Sequence, residues 1–353
     1  MSRPHIAAIA EDGWNWALGG ALRAGGWRHL IVTHTGYANE REIRVLARVL
    51  LAPDDVRRDY RSERWSAAQA GRRGWRNFFV VDALGAEVTI TVGDVEHVTT
   101  VDRSGYVDAR IPNPGLEPGW AEVTLRTPES ADAVAPILVV DPAQSLGVVS
   151  DIDDTVLRTF LPRPLVAAYN TFVLDEQSRT PVRGMSTFYS RLLIEHGSAP
   201  VFYLSTGAWN NAGTLTRFLA THGFPAGPLL LTDWGPTHTG WFRSGAEHKR
   251  VTLRQLAQDF PHLKWVLIGD NGQRDPSLYG EFAREHPDKV AGVAIRNLPM
   301  TEQVLAHGTT GERSGQDEHN DFTVPPGVFW VDGDDGDELS EAWWGSREPR
   351  GRA

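Results

Sequence analysis

The chain has 353 residues, carries 45 acidic against 35 basic side chains for a formal net charge of −10, and contains no cysteine. At about 150 residues per domain, this length predicts two domains, each able to bury its own core. The missing cysteines exclude disulfides, a thiolate nucleophile and thiolate-bound zinc, and the acidic balance speaks against general binding to nucleic acid.

No apolar run approaches the roughly 18 to 20 residues that cross a bilayer, and the first residues lack the apolar core of a signal peptide, so a cytoplasmic protein is expected. In chain order, residues 1–27 read as a helical segment with Trp14, Ala17 and Leu18 on one face. Over 28–142 short alternating runs follow, at 30–33, 44–51, 77–81, 87–92, 97–101, 121–127 and 135–140, punctuated by 53–55, Gly85, Gly105 and 112–119. Strands at this spacing predict an all-β, sandwich-like domain. Over 143–300 the rhythm changes to buried strand, loop and amphipathic helix. Apolar runs at 146–149, 200–204, 228–231, 265–268 and 290–295 alternate with helical faces such as Phe188, Leu192, His196 and Ala212, Leu215, Leu219, His222, with Gly197 as a helix stop. The alternation predicts an α/β domain with a doubly wound, Rossmann-like parallel sheet, whose ligands bind at the carboxyl ends of the strands. Residues 301–353 lose periodicity and read as an acidic, largely extended tail, with 328–331 and Trp343-Trp344 as docking points. Within it, 332–338 resembles a calcium loop but has Asp337 where the turn needs glycine, so a solvated acidic segment is the better reading.

Chemistry concentrates at the predicted strand ends. The run Gly147-Val-Val-Ser-Asp151-Ile-Asp153-Asp-Thr155 carries two aspartates two residues apart straight out of a buried strand. Carboxylates placed so close repel unless a cation lies between them, which suits a metal site or an acid–base pair; an ordinary Asp-rich turn is the plain alternative. The strand over 265–268 ends likewise, in Gly269-Asp270-Asn-Gly-Gln-Arg-Asp275. The second strand runs into Ser205-Thr206-Gly207, and the loop continues through Trp209 and Asn210, offering hydroxyls and amides that suit a tetrahedral anion. Lys249 follows His248 near a helix start and says nothing alone.

In this order, the acid pair, hydroxyl, lysine and second acid pair resemble the haloacid dehalogenase superfamily of phosphohydrolases. The resemblance implies Asp151 as nucleophile, Asp153 as proton donor and later base, Thr155 as support for their loop, Ser205 as a partner of the phosphoryl group and Lys249 as its counter-charge. It further implies Mg²⁺ held by Asp151, Asp153, Asp270 and Asp275, and substrate contacts from Ser205, Thr206, Gly207, Trp209 and Asn210. Physics agrees with such a set, because a carboxylate attacking a phosphate dianion needs cations to cancel the repulsion. Longer strings, GVVSDIDDTVL at 147–157, GPLLLTDWG at 227–235, Glu247-His248-Lys249 and VLIGDNGQRDP at 266–276 with Tyr279, resemble the fungal actin-patch phosphatidate phosphatase family and its bacterial relatives. Ser205-Thr-Gly-Ala-Trp209-Asn210 departs from that family's more usual loop. The resemblance implies Mg²⁺-dependent conversion of phosphatidate to diacylglycerol and phosphate. Phe160, Leu161, Trp209, Trp234, Trp241 and Phe242 then stand in loops where they line the pocket or make peripheral membrane contact. Two other readings stay open: a phosphatase of soluble sugar or nucleotide phosphates, and a non-catalytic phospho-ligand module.

Overall fold

A computed structural model of the chain describes residues 19–61, 81–158, 179–232, 245–272, 274–299 and 324–346. Its contacts divide it into two units, one within 1–142 and the other built from 143–232 and 244–353.

The first unit holds β1 (Arg28–Ala38), β2 (Glu42–Ala52), α1 (Asp54–Arg61), β3 (Val81–Asp82), β4 (Glu87–Val92), β5 (Val95–Thr100), β6 (Tyr106–Pro112), β7 (Gly119–Arg126) and β8 (Ala133–Val139). Alternate residues of β2, namely Ile43, Val45, Ala47, Val49 and Leu51, face a core shared with Ile90, Leu125 and Ile137. The strands are not divided between two sheets, which corrects the expectation of a sandwich. They form one curled, mixed sheet of order β3-β2-β1-β8-β7-β4-β5, and β6 pairs with β2. β2 pairs antiparallel with β1 along one edge and with both β6 and β3 along the other, while β1 runs parallel to β8. Alternation in sequence sets which side of a strand is buried but leaves open which strand lies beside it, so a curled sheet and a sandwich read alike. A bulge between His34 and Tyr37 bends β1, and at Gly36 a Cβ would lie 2.3 Å from the Arg44 carbonyl oxygen, so only glycine fits there.

The second unit contains β9 (Leu146–Ser150), β10 (Leu157–Arg158), β11 (Thr180–Pro181), α2 (Met185–Glu195), β12 (Val201–Ala208), α3 (Ala212–Thr221) and β13 (Leu229–Thr232). It continues with α4 (Gly245–Asp259), β14 (Lys264–Asp270), α5 (Asp275–Glu285), β15 (Val290–Arg296), β16 (Trp330–Gly333) and α6 (Gly336–Gly345). Its main sheet is parallel, in the order β13-β12-β9-β14-β15-β16. β9 is buried along its whole length, as expected of an apolar run covered on both faces.

The doubly wound, Rossmann-like expectation with its haloacid dehalogenase-like pattern is also corrected, because the structure has a separate parallel sheet without a clear doubly wound arrangement. The strand–helix alternation breaks directly after β9, where a small antiparallel ladder of β10 and β11 intervenes, and α2 packs on α6. An apolar run reports that a strand is buried; it carries no information about the side on which the next connection crosses.

The stretch expected to be an extended tail supplies β16 and α6, with Leu339 and Trp343 fully buried. Its acids do local work, since the Asp335 side chain caps α6 by accepting from the Asp337 and Glu338 amides. The expected Trp14, Ala17 and Leu18 face, and Phe160, Leu161, Trp234, Trp241 and Phe242, lie outside the described residues. Among the described residues, no helix is long and apolar enough to cross a membrane.

Candidate active site

Two central strands of the parallel sheet bring the acids together. β9 and β14 pair from Leu146↔Lys264 to Ser150↔Ile268, so Asp151, the residue after β9, lies beside Asp270, the last residue of β14. The Asp151 amide donates to the Ile268 carbonyl at 2.9 Å. Asp275 begins α5 and reaches back across Gly269, where a Cβ would lie 2.6 Å from Asp275 Oδ2 and 2.8 Å from the Tyr279 ring. From α4, Lys249 Nζ donates to Asp151 Oδ1 at 2.6 Å and to Asp275 Oδ1 at 2.5 Å. Asp151, Asp270, Asp275 and Lys249 are all buried, and one carboxylate oxygen from each acid falls within 4.8 Å of the other two.

The loop after β9 is wound tightly, with the amides of Thr155, Val156 and Leu157 all directed at the Ile152 carbonyl. Thr155 Oγ1 lies 3.5 Å from Asp151 Oδ2, a long contact that supports the loop more than it binds the carboxylate. Asp153 stands outside the three-acid cluster, and its Oδ2 accepts from Ser205 Oγ at 3.0 Å. Ser205 Oγ in turn accepts from the Gly207 amide at 2.9 Å. Thr206 is engaged through its carbonyl, which accepts from Thr232 Oγ1. Trp209 is half-buried against the core and Asn210 is exposed. The structure therefore gathers Asp151, Asp153, Thr155, Ser205, Lys249, Asp270 and Asp275, while Trp209 and Asn210 lie farther along the loop in a turn of 3₁₀ helix.

Burial, joined by the neighbouring carboxylates of Asp275, Asp270 and Asp153, pushes Asp151 well above the usual carboxylate range, against the pull of Lys249. Asp270 is raised by the same causes, burial first and Asp275 next. For Lys249, burial favours the neutral amine, but Asp151 and Asp275 outweigh it and raise the group above its ordinary value. Three carboxylates and one ammonium leave a formal charge of −2 in a dry site, and a divalent cation would cancel it. The donor chemistry fits such an ion. Asp270 Oδ2 and Asp275 Oδ2 are buried and accept no hydrogen bond among the described residues, and an all-oxygen set is what Mg²⁺ prefers. Asp153 is not part of this cluster.

Sequence reasoning missed Arg296, which ends β15 beside Asp270 and is fully buried. The available signal was an arginine closing the apolar run Val290-Ala-Gly-Val-Ala-Ile295 next to an acidic strand end. It also missed the buried pair of Ser150 and Tyr189 beneath Asp151, where the two hydroxyls share a short hydrogen bond.

Residues 146–297 match the family model described as "Phosphatidate phosphatase APP1, catalytic domain". The chain is 30% identical over 188 residues to the phosphatidate phosphatase APP1 of Saccharomyces cerevisiae, covering 51% of this chain and 31% of that protein. It is 27% identical over 154 residues to an uncharacterized protein of Schizosaccharomyces pombe, covering 43% of this chain and 25% of that one. The chain thus spans a third or less of the length of these curated relatives. A crystal structure of an uncharacterized Listeria monocytogenes protein aligns with 58% of this chain and 99% of its own at 15% identity, with a TM-score of 0.35.

Proposed function

We propose that the chain is a Mg²⁺-dependent phosphomonoesterase that releases phosphate from phosphatidate, leaving diacylglycerol, on the cytoplasmic side of a membrane that it touches peripherally. The observation that carries the chemistry is the buried array of Asp151, Lys249, Asp275 and Asp270 at the ends of two adjacent strands. The lipid substrate is supported by the match of residues 146–297 to a phosphatidate phosphatase catalytic domain and by the yeast relative of that name.

In this reading Asp151 attacks phosphorus through a carboxylate oxygen, the bond from phosphorus to the glycerol oxygen breaks, and the leaving oxygen takes a proton from Asp153. Water then attacks the aspartyl-phosphate, Asp153 accepts its proton, and inorganic phosphate leaves with Asp151 regenerated. Lys249 holds Asp151 in place and opposes the negative charge that gathers during attack. The Gly207 amide, which donates to Ser205 Oγ, and Ser205 Oγ, which donates to Asp153, stand where a phosphoryl oxygen would find donors. Asp151, Asp270 and Asp275 would hold Mg²⁺, which when bound supplies charge neutralisation at the phosphate.

Phosphate release from phosphatidate in mixed micelles, measured beside a panel of soluble sugar and nucleotide monophosphates with and without EDTA, tests this. The expected result is EDTA-sensitive turnover of phosphatidate, with Asp151→Asn inactive. Turnover confined to soluble monoesters would remove the lipid assignment, and binding of phosphate esters without any turnover would leave a phospho-ligand module.

A further inference from the structure

Among the described residues two cationic side chains are buried, Lys249 and Arg296. Lys249 belongs to the acid cluster. Arg296 lies opposite Asp270 on β14 and Gly333 on β16, and it reaches three separate turns. Its Nη1 donates to the Asp154 carbonyl at 2.7 Å and its Nε to the Asp334 carbonyl at 3.1 Å, while its own carbonyl accepts from the Asn271 amide at 3.0 Å. These contacts join the loop after β9, the turn after β14 and the turn between β16 and α6.

The loop after β9 needs such support. Asp154 has φ 58°, a left-handed conformation that a non-glycine residue keeps only where its surroundings impose it. On either side of Asp154, Asp153 meets Ser205 and Thr155 approaches Asp151. The far end of the bridge is itself anchored. The Gly336 amide donates to the Arg183 carbonyl at 2.9 Å, and a Cβ on Gly336 would lie 2.2 Å from both Gly184 C and Met185 N, so α6 begins in backbone-to-backbone contact with the start of α2. A planar guanidinium can grip two carbonyls in fixed directions at once, which an ammonium group on a flexible stem does less well.

The geometry points to Arg296 as a positioning residue: braced on the turn that opens α6, its guanidinium holds the Asp153-Asp154 loop in the shape that presents Asp153 to the reacting phosphate. The catalytic part of this inference rests on the phosphatase reading; the mechanical coupling does not. Residues 330–345 then belong to the support of the site and are not an appendage of the sheet.

The test uses the 353-residue chain with Arg296→Met, Arg296→Lys and Gly336→Ala, the last acting from the far end of the bridge without touching an acid. Two quantities are measured: amide hydrogen exchange, and kcat and KM on phosphatidate micelles. Arg296→Met is expected to lower kcat about 100-fold with KM changed less than about threefold, since a loop displaced by an ångström loses rate more than binding. Arg296→Lys should recover part of that loss. Gly336→Ala should lower kcat about 10-fold alone and add nothing to Arg296→Met, because both act on one bridge. Exchange at residues 152–158 should rise at least about tenfold in each variant while α3 is unchanged. Unchanged exchange at 152–158 in the two Arg296 variants overturns the coupling, and raised exchange with unchanged kcat overturns the positioning role. If the wild type releases no phosphate, the phosphatase reading falls and the exchange measurement still decides the coupling. Should Arg296→Met fail to fold, Arg296→Lys and Gly336→Ala carry the same comparison.

Discussion

One ammonium group keeps two of the three clustered carboxylates compensated. Replacing Lys249 with Met leaves Asp151 and Asp275 buried beside Asp270 without the ammonium that pairs with both of them. The expected result, read from urea unfolding without divalent cation, is a stability loss of about 3 to 5 kcal/mol, accompanied by loss of phosphate release. A second prediction concerns His34, which burial and, to a lesser extent, Arg48 hold down at about 4, from an ordinary 6.5. The unfolded chain therefore takes up a proton over a range in which the folded unit does not. That contribution to stability is complete above 6.5 and is lost as pH falls toward 4. Urea midpoints between pH 7 and 4.5 should fall less in His34→Gln than in wild type, and equal slopes would show that His34 is not the group involved. At this scale much of the candidate site was legible, because Asp151, Asp153, Ser205, Asp270 and Asp275 each sit in a short string with its own local signal, whereas Lys249 carried none alone and was singled out only by the resemblance. Arg296 escaped because the apolar run it closes marks only a strand end, while its partners, the backbone carbonyls of residues 154 and 334, are distant in the chain.

Among the elements, those with regular apolar periods were readable and those defined by their neighbours were not. β4 over 87–92 and α2 around Phe188 and Leu192 follow directly from their spacing. β6 was overlooked because its alternating Val107, Ala109 and Ile111 lie between charged residues, and α1 because Pro53 and two aspartates look like a turn although they also suit a helix start. In the C-terminal stretch Trp343, expected as a docking point, is buried, but the acidic composition hid the regular strand and helix around it and the second anchor, Leu339. Trp343 packs edge-on against Phe188 and Phe329, at centroid distances of 5.9 and 4.9 Å. Its ring also occupies the space that a Cβ on Gly292 would need. Trp343→Ala is expected to cost about 3 to 5 kcal/mol, as large aromatic truncations in a core do, and calorimetry would show the lowered melting temperature. A change under about 1 kcal/mol would mean that α6 is not integral to the second unit.

For the molecule as a whole, the buried acid cluster costs stability. Asp270 is held above its usual range by burial and by Asp275, so Asp270→Asn should raise the melting temperature of metal-free protein. On the proposed Mg²⁺ site, wild type should gain about 2.7 kcal/mol when Mg²⁺ stands at a hundred times its Kd, and the same variant should lose that gain. Thermal melts with Mg²⁺ and with EDTA measure both effects, and a wild type indifferent to Mg²⁺ would remove the metal from the proposal. Length predicted two domains and composition an acidic chain, yet the net charge of −10 gave no hint that a few of its members would be packed out of water.

The pairing of β9 with β14 also governs when the site can exist. Asp151 and Asp270 are about 120 residues apart in the chain, and contacts that distant form late, after the entropy of a long loop has been overcome. A growing polypeptide that has emerged only through β13 already holds Asp151, Asp153 and Ser205 but lacks Lys249, Asp270 and Asp275. Lys249 precedes Asp270 and Asp275 in the chain, so the ammonium partner is already present when the mutually repelling acids first come within reach of one another.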